Sequence, residues 1–154
     1  MPIMELHDLL LQNRTRAIDE ALVGLSRSAL PHYSADRSAQ NRIRLERLYD
    51  LCLQCLTERS LTPISDYARQ VAGERHREGI DLREVHTAFN VLEEVIWRLI
   101  TANLQPPQLV QSLGQASTIL GAGKQALAVE YVSLVGHRVA GQSLDLSELF
   151  KGTT

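Results

Sequence analysis

The stretch that most constrains the fold runs from Asp81 to Asn103, DLREVHTAFNVLEEVIWRLITAN. Leu82, Val85, Phe89, Leu92, Ile96 and Leu99 recur at alternating steps of three and four, and Ala88, Val91 and Val95 widen the stripe. Apolar residues at that spacing share one side of an α-helix, and a stripe this wide is buried against more than one neighbour. Asp81 is placed to accept from the orphan amides of the first turn, and Glu84 to reach back to the cap amide. Gly79 upstream can end the preceding helix, and Pro106-Pro107 mark a break downstream. The stretch predicts the central helix of a helical domain.

The flanks carry the same period. Residues 3–12 read as a short apolar helix. Arg14–Ser28 continues as helix, with Ile18, Ala21, Leu22 and Leu25 on one face, and ends before Pro31. His32-Tyr33-Ser34-Ala35 is a loop, after which Asp36 caps a long helix to about Arg59, with Ile43, Leu45, Leu48, Leu51, Cys52, Cys55 and Leu56 as its apolar positions. Thr62-Pro63 is a start signal, a cap followed by proline at the first helical position. That helix runs to about Glu78 with Ile64, Tyr67, Ala68, Val71 and Ala72 inward. From Pro107 to about Val139 the chain is mostly helical, with Leu109, Leu113, Ala116, Leu120, Leu127, Tyr131 and Leu134 at helical spacing. Whether Gly121-Ala122-Gly123 kinks or splits this helix is left open by the sequence. No β alternation and no internal repeat occurs, so the fold class is all-α, with a domain over residues 1–140 and a polar tail or linker over 141–154.

With 154 residues the chain can bury a core without metal or disulfide staples. Hydrophobic residues at 44% and charged ones at 22% are a globular balance. No apolar run approaches the ~20 residues of a membrane span, and the first residues, MPIMELHDLLLQNR, do not read as a secretory signal. A net charge of −2, from 16 basic and 18 acidic side chains, argues against bulk phosphate neutralisation and hence against a nucleic-acid partner. Two cysteines and no export signal predict a reducing cytoplasm.

Each candidate chemistry has a plainer competitor. Cys52-x-x-Cys55 is a redox spacing, but it falls inside an amphipathic helix with both sulfurs on the apolar side, where cysteines act as small hydrophobes. No second pair completes a zinc quartet. Gly121-Ala-Gly-Lys124 hints at a phosphate loop, but Thr118 and Gln125 stand where the motif requires glycine and Ser or Thr. Haem needs an axial histidine projecting into an apolar slot. His86 is the first choice among five histidines, yet it lies beside the apolar stripe, and residues 104–136 hold no second histidine. Arg37, Arg42, Arg44 and Arg47, then Arg69, Arg75 and Arg77, are interleaved with acids and read as a self-compensated surface, with pairs such as Arg42–Glu46. On the central helix His86, Asn90, Glu93, Trp97 and Thr101 form a second, polar-aromatic stripe. A tryptophan there marks either an interface or a helix buried all round. No Ser–His–Asp set, metal quartet or carboxylate pair emerges, so no catalytic residue, cofactor or metal is assigned.

Read together, Arg47-Leu-Tyr-Asp50, AGERHREGIDL at 72–82 with Glu84-Val85, FNVLEEVIWR at 89–98 and Gly-Lys-x-Ala-Leu-Ala at 123–128 resemble the amino-terminal sensor domain of RsbR-type stressosome proteins. The likeness covers about residues 10–135 and rests on helix-packing patterns. It implies a non-haem, globin-like helical bundle of about five to seven helices that dimerises and signals to an output module of the anti-sigma-antagonist (STAS) or kinase type. With only a short tail after residue 140, the expectation is a non-enzymatic, cytoplasmic sensor or adaptor in bacterial stress signalling, a homodimer whose output is a separate protein. His86, Glu93 and Trp97 are its expected interface or signal-receiving residues. The alternatives are a haem- or tetrapyrrole-binding globin-type sensor using His86 and a thiol switch through Cys52 and Cys55.

Overall fold

A computed structural model describes residues 4–28 and 37–138, with His137 and Arg138 described by their backbone alone. The expected helix start at Ile3, the Pro31 boundary, the loop at 32–35, the cap at Asp36 and the tail at 141–154 lie outside the described residues. Within them the chain forms six helices: α1 (Leu6–Gln12), α2 (Arg14–Arg27), α3 (Ser38–Glu58), α4 (Thr62–Arg77), α5 (Leu82–Asn103) and α6 (Gln108–Arg138). The fold is an all-α bundle. No helix among the described residues is long and apolar enough to cross a membrane.

α5 is central, touching each of the other five helices. Its stripe is buried as its spacing requires: Val85, Phe89, Leu92, Val95, Ile96, Leu99 and Ile100 are all core. α2 lies across α5 on Ala17, Ile18, Ala21 and Leu25, and α3 closes that side through Leu45, Leu48, Leu51 and Cys52. α6 has its most extensive packing on α4, then α5.

The helix ends show which local signals act. α4 stops in a left-handed turn at Gly79 (φ +75°), where the Gly79 amide donates to the His76 carbonyl at 3.1 Å and the Ile80 amide to that of Arg75 at 3.0 Å. These two bonds satisfy carbonyls a helix end would otherwise leave unpaired. Ile80 then turns inward, and its carbonyl accepts from the Tyr131 hydroxyl of α6 at 3.0 Å. Two expected caps are corrected. Asp81 stands at the N-cap of α5 in extended conformation but its side chain makes no capping bond. Thr62 is the first residue of α4 instead of its cap; Leu61 holds the cap position, and the Thr62 amide donates to Ser60 Oγ at 3.2 Å. Neither cap residue, Leu61 or Asp81, supplies a side-chain bond; backbone geometry, Pro63 and the Ser60 hydroxyl act at these starts instead.

The α3 register needs a further correction. Ile43 points outward and is 66% exposed, while Asn41 is buried at the inner position of the stripe continued by Leu45, Leu48, Cys52 and Cys55. Tyr49, not counted among the inward residues, is fully buried and donates its hydroxyl to the Leu10 carbonyl, fastening α1 to α3. The open question about α6 is answered: it is one uninterrupted helix of 31 residues, about 46 Å long at 1.5 Å per residue. Gly123 is where it passes closest to the core. A Cβ there would lie 2.7 Å from the Phe89 ring and 3.2 Å from Ile64 Cγ1, so the missing side chain is what lets α6 seat against α4 and α5.

Candidate functional site: the α5–α6 seam

His86, Glu93 and Trp97 follow one another at steps of seven and four along α5, which places them on one side of the helix, facing α6. The structure gathers all three along a single polar seam. Lys124, halfway down α6, reaches across it. Its Nζ donates to Glu93 Oε2 at 2.7 Å and to Asn90 Oδ1 at 3.1 Å. The Lys124 and Glu93 side chains are only 25% and 20% exposed, so the pair is partly shielded from water and its strength is more than that of a surface bridge. One end of the seam is closed by Trp97, whose Nε1 donates to Ser117 Oγ at 3.2 Å. The other end holds His86.

His86 is half-buried, and its Nε2 is shut away from solvent without a hydrogen-bond partner. Burial pushes the imidazole pKa below its ordinary value, and the Lys124 charge pushes it the same way; a hydrogen bond with the Lys124 backbone opposes them. The ring sits between two helices, where burial favours its neutral form. Trp97 is 42% exposed, which decides against the reading in which α5 is buried all round.

The outer face of α6 continues this seam. Val110, Val129 and Val132 are 68%, 63% and 53% exposed, and a Cβ built at Gly114, Gly121 or Gly136 would meet nothing within 4 Å. α6 thus carries apolar residues on its inner side and a second set, mixed with small residues, on its outer side. Nothing in the sequence separates these sets, because both obey the helical period.

The other candidates resolve locally. Cys52 and Cys55 are free, buried and in the middle of α3, and burial raises both thiol pKa values, so neither is poised as a thiolate. Gly121–Lys124 lies inside α6, with Lys124 committed to Glu93 and Asn90. The arginines on α3 and α4 are largely compensated: Arg42 bridges Asp19 and, at 3.9 Å, Glu46; Arg69 meets Asp66 at 2.6 Å; Arg75 meets Glu78 at 3.2 Å; and Arg47 lies over the Tyr67 ring, 5.6 Å from its centroid. Among the described residues no group of three or more His, Cys, Asp or Glu could hold a metal ion.

Two hollows flank the helices away from the seam. A cavity of about 40 Å³, the size of a single water, lies among Leu25, Leu45, Leu48, Val71, Val85 and Phe89. A groove of about 850 Å³ runs between α1, the α3–α4 turn and the first turns of α6. His86 lines neither.

Six packed helices with a tied polar seam make this an all-α domain. Residues 16–133 match the family described as the RsbT co-antagonist protein rsbRD N-terminal domain, and the chain belongs to that family. It is therefore a domain of stressosome-type stress-response signal transduction. Compared with curated proteins and with solved structures, the chain finds no match.

Proposed function

We propose that this domain is a non-enzymatic, non-haem sensor or adaptor that works as a homodimer in the cytoplasm and passes its signal to a separate output protein of STAS or kinase type. The observation that carries the proposal is the outer face of α6. It sets Val110, Val129 and Val132 beside the uncovered glycines and next to the exposed Trp97. Apolar surface rimmed by polar groups favours a protein partner, and glycines without neighbours let a second helix come close. The two-fold partner buries this face, with His86, Glu93 and Trp97 behind it as the signal-receiving seam. A signal acts by favouring one of two packings of α6 on α5; the contacts it must trade are Lys124–Glu93 and Trp97–Ser117.

Light scattering on the wild-type chain and on Val132→Glu tests this. The expected result is a dimer that becomes a monomer with unchanged helical circular dichroism. A wild-type monomer at concentrations of ~100 μM or above overturns the dimer.

A haem- or tetrapyrrole-binding sensor is the second reading, and the unpartnered Nε2 of His86 is the observation in its favour. The seam around that atom is closed, and the cavity and groove described above do not include His86. An axial ligand needs an apolar slot in front of it. Titration with hemin distinguishes the two readings: a sharp Soret band at one equivalent, lost in His86→Gln, establishes the tetrapyrrole sensor.

A further inference from the structure

The groove of about 850 Å³ is within the size range of ligand sites, and neither the seam nor the dimer face accounts for it. One wall is α6, which presents Gln108, Gln111, Gln115 and Thr118 into it at steps of three and four. None of these side chains has a hydrogen bond with the described residues. Primary amides both donate and accept, as peptide groups do. From Gln108 to Thr118 the row spans about 15 Å at 1.5 Å per residue, the length of four or five residues of extended polypeptide at about 3.3 Å each. Leu6 and Ile119, both buried, and the exposed Leu61 add apolar surface.

Arg59 also lines the groove, at the end of α3 on the turn to α4. Its guanidinium has no ion pair or hydrogen bond with the described residues. Its backbone is left-handed, φ +54° and ψ 44°, the conformation that Gly79 supplies at the end of α4. A side chain at such a position is disfavoured by the clash of its Cβ, so glycine would suit the turn better. The strain and the unpaired charge fall on the same residue, as they do where a side chain is held for a ligand. Glu5, at the N-cap of α1, is the one carboxylate among the groove's described lining residues. The groove therefore holds one cation and one carboxylate, a charge set that suits a zwitterionic chain. His7, also in the groove, is 3.6 Å from Asp8.

The geometry points to this groove as the binding site of a free oligopeptide of four or five residues, extended along the glutamines of α6 with its carboxylate on Arg59. The inference rests on the sensor reading, since it names the class of signal received.

The test uses the full chain and the pentapeptide Ala-Leu-Ser-Leu-Ala as probe, followed by heteronuclear NMR, with light scattering on the same samples. The expected result is saturable shifts of the Gln108, Gln111 and Gln115 side-chain amides, with affinity at least tenfold weaker for the carboxy-terminal amide of the probe. Arg59→Gly is the decisive variant, because it removes the guanidinium while easing the turn. It is expected to keep or raise the melting temperature and to lose at least tenfold in affinity. Absence of groove shifts at millimolar peptide, or equal binding of the acid and the amide, overturns the proposal. The mass of the unliganded chain reports on the dimer independently, so the two readings fail separately.

Discussion

The Lys124 ammonium lies 2.7 Å from the Glu93 carboxylate, an ion pair that ties α6 to α5. Asn90 supplies a second acceptor at 3.1 Å, so the lysine is held by two residues one turn apart. Glu93→Ala leaves a partly buried ammonium with Asn90 alone, and the expected loss of stability is about 1–3 kcal/mol. Lys124→Met leaves the carboxylate in a similar position. Because the two act as a unit, the double variant is expected to lose less than the sum of the singles, by about 0.5 kcal/mol or more. Urea unfolding of the four proteins checks this; strict additivity would mean the pair is only a surface contact.

Two glycines two positions apart on α6 are expected to respond in opposite directions. Gly123→Ala forces a methyl to within 2.7 Å of Phe89 and is expected to cost about 1–3 kcal/mol. Gly121→Ala meets open space within the protomer, so in a chain kept monomeric by Val132→Glu alanine is expected to be better than glycine by up to about 1 kcal/mol. Thermal melts read both. Equal effects would mean that α6 does not seat on the core as described.

His86 sets a pH dependence. Its folded pKa lies below the unfolded value near 6.5, so as pH falls the folded state takes up less proton than the unfolded chain does. The contribution is fully present above pH 6.5, starts to fall as the unfolded chain takes up its proton, and is lost progressively down through the folded pKa. His86→Gln removes this component, so the difference in unfolding free energy between wild type and variant is expected to change between pH 7 and pH 5. A constant difference over that window would show the ring to be solvated.

The thiols are expected to be unreactive. Cys52 and Cys55 are buried with raised pKa values, so alkylation at pH 8 is expected only as the chain unfolds, with the rate rising in urea in step with unfolding. Fast labelling of the folded chain would restore the redox reading.

What the sequence made legible was local. Gly79 ended α4, and the step pattern from Leu82 to Leu99 marked α5, because each signal acts within a few residues. The step from His86 to Trp97 also put the seam residues on one side of a helix. Which neighbour they faced depends on Lys124, 31 residues beyond Glu93, and no local rule reaches that far. Ile43 is apolar by type but lies off the inner line, which passes through Asn41 and Leu45, so register and not residue type decides its exposure. The groove went unseen since three separate segments build it. The available clues were the amides at 108, 111 and 115 and an arginine at a helix stop.

The unbroken length of α6 has a mechanical consequence. A helix whose hydrogen-bonded ladder is continuous through Gly121 and Gly123 has no hinge at its midpoint. Its response to a push on the first turns is to slide or roll as a rod, carrying the motion over about 46 Å to its far end. Lys124, near the middle, is where that rod is tied to α5 through Glu93, so a roll of α6 would have to work against this contact.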